Sequence, residues 1–171
     1  MPINIEVKAH AADWERQLAL AASFGAKAET LTQEDTFFTC PNGWLKLRES
    51  GTATLIFYRR PSSKLPKASE YNIVDVSQPA GLKDVLAQAY GREKTVRKRR
   101  LLFLYDETRL HFDEVEGLGR FIEIEVVLKP GQTRADGQRL AQVWMERLKI
   151  PKSSLLAGAY ADLEPPKKQA V

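Results

Sequence analysis

The chain has 171 residues, 43% hydrophobic and 28% charged, with a net charge of +4 and a single cysteine, Cys40. That length suits one domain with a sizeable core, and the composition excludes a disulfide framework, a thiolate metal cluster and an apolar run long enough to span a membrane. The positive excess favours anionic partners without naming them. The start of the chain is charged and patterned like a strand, unlike a secretory signal, so a cytoplasmic location is expected.

In chain order, residues 3–8 read as a strand, and residues 13–24 as a helix with Asp13 as N-cap and Gly25 as its stop. Short strands are expected at 36–40, 44–49 and 53–60, separated by the turns Pro41-Asn42-Gly43 and Ser50-Gly51-Thr52. Residues 61–68, with two prolines, read as a flexible loop before a strand over 69–76. A second helix is expected from Pro79 to a stop at Gly91, then strands over 95–105, 109–115 and 120–128, and a third helix over 136–148. About eight strands in hairpin order with three helices imply an antiparallel α+β domain, a barrel or strongly curved sheet. Residues 1–164 form one domain in this reading, and 165–171 a flexible tail.

Within those strands, charges recur at every second position, as in Glu6/Lys8, Lys46/Arg48, Lys98/Arg100 and Glu123/Glu125. Successive strand side chains point to opposite faces, so each pair shares a face and the apolar residues between them share the other. An ordinary sheet with one wet face accounts for this pattern. A closed barrel with apolar residues outward under helices accounts for it too, and then the charged face is the interior. The inward set would be Glu6, Lys8, Lys46, Arg48, Arg59, Lys98, Arg100, Arg109, Asp113, Glu123 and Glu125, seven cations against four anions. Desolvated charges of this kind need an occupant. A triphosphate, with roughly four negative charges, and a hard divalent cation held by carboxylates would suit them. The run Arg97-Lys98-Arg99-Arg100 is split between the two faces by the same alternation, which argues against a nucleic-acid patch.

These residues resemble the CYTH family, the triphosphate tunnel metalloenzymes that include class IV adenylate cyclases, thiamine triphosphatases and inorganic triphosphatases. The likeness runs from Asn4-Ile5-Glu6-Val7-Lys8 through Asp35-Thr36-Phe37-Phe38, Leu45-Lys46-Leu47-Arg48-Glu49, Tyr58-Arg59-Arg60-Pro61, Val96-Arg97-Lys98-Arg99-Arg100 and the blocks His111–Gly119 and Phe121–Glu125. It implies an eight-stranded antiparallel tunnel open at its ends. It implies Mg²⁺ or Mn²⁺ on Glu6, Glu123 and Glu125 with Asp113 nearby, and a triphosphate small molecule on Lys46, Arg48, Arg59, Lys98, Arg100 and Arg109. Lys8 would orient or deprotonate water. The family signature begins with Glu where this chain has Asn4, which brings an oxygen but no charge. The implied activity is a phosphohydrolase, with a cyclase forming cyclic AMP and pyrophosphate, or a non-catalytic polyphosphate or nucleotide-binding module, as alternatives. No nucleic-acid or membrane partner is expected, and a homodimer is left open. An inward Arg100 should matter more to ligand affinity than to stability.

Overall fold

The computed structural model describes residues 2–165, and most of the expected tail lies outside the described residues. Among the described residues, strands β1 (Ile3–His10), β2 (Glu29–Phe38), β3 (Trp44–Ser50), β4 (Thr52–Arg59), β5 (Lys67–Asp75), β6 (Arg92–Tyr105), β7 (Thr108–Val115) and β8 (Gly119–Val127) run antiparallel in the order β5-β4-β3-β2-β6-β7-β8-β1. Pairing of β1 with β5 closes the ring into an eight-stranded barrel, and the two-residue strand β9 (Leu155–Leu156) adds to β1 at Lys8 and Ala9, beyond the end of β5.

Helices α1 (Trp14–Ser23), α2 (Pro79–Tyr90) and α3 (Arg134–Arg147) lie outside the wall. Asp13 caps α1 by accepting from the Arg16 amide at 3.3 Å, as expected, whereas α3 starts two residues early because Thr133 and Asp136 form a reciprocal capping box. The main apolar core sits between barrel and helices. Ile5, Val7, Leu110, Phe112, Ile122 and Ile124 point outward from β1, β7 and β8 and pack beneath Trp14, Ala21, Ala141, Trp144 and Leu148. Gly137 permits the close approach of α3: a Cβ there would lie 2.5 Å from Ile5 Cγ1 and 2.6 Å from Leu128 Cδ2. A second cluster places Leu86 of α2 on Phe38 and Leu47. The greasy faces of the strands are thus their outer faces, and the alternating charges are left to the lumen.

Two strand assignments shift. β2 begins at Glu29 rather than near Thr36, held by antiparallel pairing with β6 from Glu29↔Leu102 onward. Residues 29–35 are polar on both sides apart from Leu31, so their pattern carries no period, and the partner strand decides. β5 begins at Lys67, inside the expected loop, because Glu6 of β1 pairs opposite it. Among the described residues, no helix is long and apolar enough to cross a membrane.

Candidate active site

The lumen is a cavity of about 280 Å³. Charged residues of its lining are Lys8, Lys46, Arg48, Arg60, Lys98, Arg100 and Arg109 against Glu6, Asp35, Glu123 and Glu125, an excess of three positive charges. Lys8, Lys46, Arg48, Lys98, Arg100, Arg109, Glu6, Glu123 and Glu125 all occur where alternation puts them. Arg97 and Arg99 are on the outer face, each more than half exposed, paired with Glu34 and Glu114.

Arg59 does not enter the lumen. Its side chain is 56% exposed and lies 3.8 Å from Glu70. Tyr58 faces the lumen as cross-strand partner of Trp44, so alternation carries the inward face to Arg60. The Arg60 guanidinium lies 5.5 Å from the Trp44 ring and 5.6 Å from the Tyr58 ring, two rings stacked on each other, and it pairs with Glu6. Asp113 is inward but fully buried behind Arg100, outside the cavity lining. Arg100 Nε and Nη2 donate to its two oxygens at 2.7 and 2.6 Å, and the Tyr160 hydroxyl donates to Oδ2 at 2.7 Å. With both oxygens engaged, Asp113 anchors Arg100 and Tyr160.

Asp35 and Tyr160 of the lumen, and the buried Lys67 outside its lining, carry no ligand role in the sequence reading. Asp35 is the hub of the basic wall: Arg48 grips it with two bonds of 2.7 Å, Lys98 donates at 2.8 Å and Lys46 at 3.1 Å. Tyr160 lies under Lys8, whose Nζ is 4.0 Å from the ring centroid. Lys67 is buried opposite Glu6, and its ammonium has no hydrogen-bond partner. Asp35 had no local signal of its inward face, because residues 29–35 are polar on both sides apart from Leu31. Tyr160 had none, because Asp113 is 47 residues away in sequence.

The acidic side is built by β1 and β8, where Glu6 faces Glu125 and Lys8 faces Glu123 across the ladder. Glu123 lies 3.5 Å from Lys8, 3.2 Å from Arg100 and 3.3 Å from His111 Nδ1; Lys8, then His111 and Arg100, hold its carboxyl well below the usual range despite burial. Burial pushes the Glu6 carboxyl up, against the pull of Arg60. Burial, then the charge of Arg100, lowers His111, and the imidazole is therefore neutral at pH 7. Glu125 accepts from Asn4 and from Arg109 at 3.3 Å.

The residues present suit a hard cation by chemistry. Asn4 Oδ1 is buried without a hydrogen-bond partner, beside Glu125, and Glu6 is the next residue facing inward. Among the described residues no three acidic, His or Cys groups converge on one point in this arrangement, since a basic partner engages each lumen carboxylate.

Burial lowers Lys98 to about 7 and Lys46 to about 8, the latter helped by Arg48. Between those values and their unfolded value of ~10.4, the unfolded chain holds protons that the folded chain has released. Stability of the ligand-free protein therefore rises with pH through this window. A triphosphate bound by these lysines would need them protonated, so its affinity should fall over the same window. Melting curves and titrations from pH 7 to 9 should move in opposite directions; flat stability and flat affinity over that range would show that the two lysines stay charged.

One end of the lumen is filled. Phe37, Val96, Val115 and Phe121 point inward there and pack against Tyr160 of the 3-10 turn Tyr160–Asp162, with Trp44 beside them. The expectation of a tunnel open at both ends is corrected accordingly. The opposite end, near Arg109 and Ile73, is open, with the Arg109 side chain 44% and Ile73 52% exposed.

An antiparallel barrel with a basic, carboxylate-flanked lumen defines a tunnel protein, and the family profile of the CYTH domain matches residues 2–160. The chain belongs to the CYTH family, the triphosphate tunnel metalloenzymes, and membership implies dependence on a metal ion. Among solved structures, it is similar to the PH1012 protein of Pyrococcus horikoshii (21% identity over 94% of this chain and 98% of that one, TM-score 0.84). It is also similar to a conserved hypothetical protein of Pyrococcus furiosus (18% identity, 94% and 99% covered, TM-score 0.83). HpAC1 from Hippeastrum, a candidate adenylyl cyclase described with a dominant triphosphatase activity, shares 18% identity over 93% of this chain and 92% of that one, with a TM-score of 0.66. At these identities the likeness establishes the fold. No curated protein matches the chain.

Proposed function

We propose that this protein hydrolyses a triphosphate with the help of Mg²⁺ or Mn²⁺. The observation that carries the reading is the lumen itself, where three more cations than carboxylates line one cavity and Asp35 is shared by three of them. Phosphate oxygens can take the places that Asp35 oxygens now hold on Lys46, Arg48 and Lys98, with the arginine fork suited to two oxygens at once. Arg100, fixed by Asp113, faces the same space and neutralises charge on the leaving phosphate. On this reading Lys8, an ammonium steadied by Glu123 and the Tyr160 ring, orients the attacking water, whose proton passes to a phosphate oxygen. A divalent ion held by Glu6, Glu123 and Glu125, with the Asn4 amide oxygen, would neutralise the phosphate chain when bound. The named activity of HpAC1 supports hydrolysis over cyclisation. Action in the cytoplasm is part of the proposal.

Incubation with ATP, thiamine triphosphate and tripolyphosphate in Mg²⁺ or Mn²⁺ tests it. Free phosphate is the expected product. Cyclic AMP with pyrophosphate would replace the reading by a cyclase, and tight binding without product by a binding module. Glu125→Gln should lower Mn²⁺ affinity, measured by paramagnetic resonance, by at least the roughly 10–100-fold seen on losing a supporting group. An unchanged Mn²⁺ isotherm would remove Glu125 from the metal site.

A further inference from the structure

A second basic pocket lies outside the barrel wall, where residues 60–66 join β4 to β5 against the first turns of α3. Arg59, Arg60, Lys67 and Arg134 line it with one carboxylate, Glu70. Arg60 is already engaged by Glu6 on the lumen side. That leaves Arg59, Lys67 and Arg134 facing Glu70 alone, an excess of two positive charges. Arg134 Nη2 donates to Glu70 at 3.0 Å, but Arg59 stands 3.8 Å from it, beyond hydrogen-bond length. Lys67 is the more telling group. It lines this pocket and not the lumen, it is 3% exposed, and its ammonium has no hydrogen-bond partner among the described residues.

A solvated surface cluster does not explain this arrangement. Exposed arginines lose nothing by standing unpaired in water, whereas a buried ammonium without a partner is strongly disfavoured. The position calls for an anion that the chain itself does not supply. The pocket is also held ready: Gln138 Nε2 donates to the Pro66 carbonyl at 3.3 Å, tying the loop to α3, and the Ser63 hydroxyl accepts from the Leu65 amide at 3.2 Å and keeps its own proton to donate. Charge and shape then select the ion. A phosphate group carries roughly 1.5 to 2 negative charges near pH 7, which matches the excess, and guanidinium forks fit its oxygens. Glu70 discriminates further, because it can accept from the P–OH of hydrogen phosphate, whereas sulfate has no proton to give. We propose that this outer pocket binds one orthophosphate ion, held by Arg59, Lys67, Arg134 and Ser63, at a site separate from the lumen and independent of the reaction there.

Titrating the isotope-labelled full chain with orthophosphate, without metal, and following its backbone amides by NMR tests this. Saturable shifts are expected at Ser63, Leu65 and Gln138, with sulfate binding more weakly. Arg59→Gln and Arg134→Gln alter side chains more than half exposed, so both variants keep the fold. Each should weaken the phosphate isotherm about tenfold, as loss of one charged hydrogen bond does, and leave tripolyphosphate affinity unchanged in calorimetry. Lys67→Met should abolish the phosphate shifts without lowering the melting temperature, because it removes a buried charge that nothing in the fold pairs. Shifts confined to lumen amides such as those of Gln33 and Lys98, sulfate binding as tightly as phosphate, or a phosphate isotherm unchanged in both arginine variants would overturn the proposal.

Discussion

Arg100→Ala should lower the melting temperature by about 10 °C and abolish measurable triphosphate turnover. Its guanidinium grips Asp113 with two bonds and touches Glu123, and the two acidic groups are fully buried and 14% exposed respectively. Removing one member of a buried ion pair costs about 3–5 kcal/mol, because the remaining charge keeps its desolvation penalty without its partner. At roughly 2–4 °C per kcal/mol for a chain of this size, that is a shift of about 10 °C. The expectation from sequence set the role of Arg100 in affinity above its role in stability; the buried pair with Asp113 adds a large structural role to it. A decisive control is pH: Arg100 now holds the Asp113 carboxyl low, so in the variant its protonation should begin at higher pH and the stability gap should narrow on acidification. A melting curve within 2 °C of the parent would mean that Asp113 finds another partner and does not depend on Arg100.

Asp35→Ala should destabilise the ligand-free protein by a similar ~3–5 kcal/mol and make it respond more strongly to polyanions than the parent. Lys46, Arg48 and Lys98 would be left facing one another in a buried space, and their charges now hold the Asp35 carboxyl well below its usual range despite burial. Tripolyphosphate would restore what the carboxylate supplied, so the melting shift on adding it should exceed the parent's shift at equal concentration, following the linkage between binding and folding. Equal shifts in variant and parent would show that phosphate does not occupy the place of Asp35.

Alternation was enough to read the paired positions Lys46/Arg48 and Glu123/Glu125, whose strands set Leu45/Leu47 and Ile122/Ile124 on the other face, and Lys98/Arg100, whose strand continues with the outward Leu101 and Phe103 beyond the exposed Arg97 and Arg99. It failed where that contrast is missing. Residues 29–35 have polar groups on both faces, so the inward position of Asp35 depends on the ladder with β6 and is invisible without it. At Tyr58-Arg59-Arg60 two identical residues stand side by side, and only the inward Tyr58 identifies Arg60 as the lumen group. Lys67 was hidden by flanking prolines that suggested a loop, and it becomes a strand residue through its pairing with Glu6. The Tyr160–Asp113 bond joins distant parts of the chain, which no local period can express.

The packing of Tyr160 against Phe37, Val96 and Phe121 turns the barrel into a cul-de-sac. A long polymer cannot thread through it, so any chain it accepts must be presented end first. Whatever is released must back out through the doorway by which it arrived, and a spent product still sitting there blocks the next arrival.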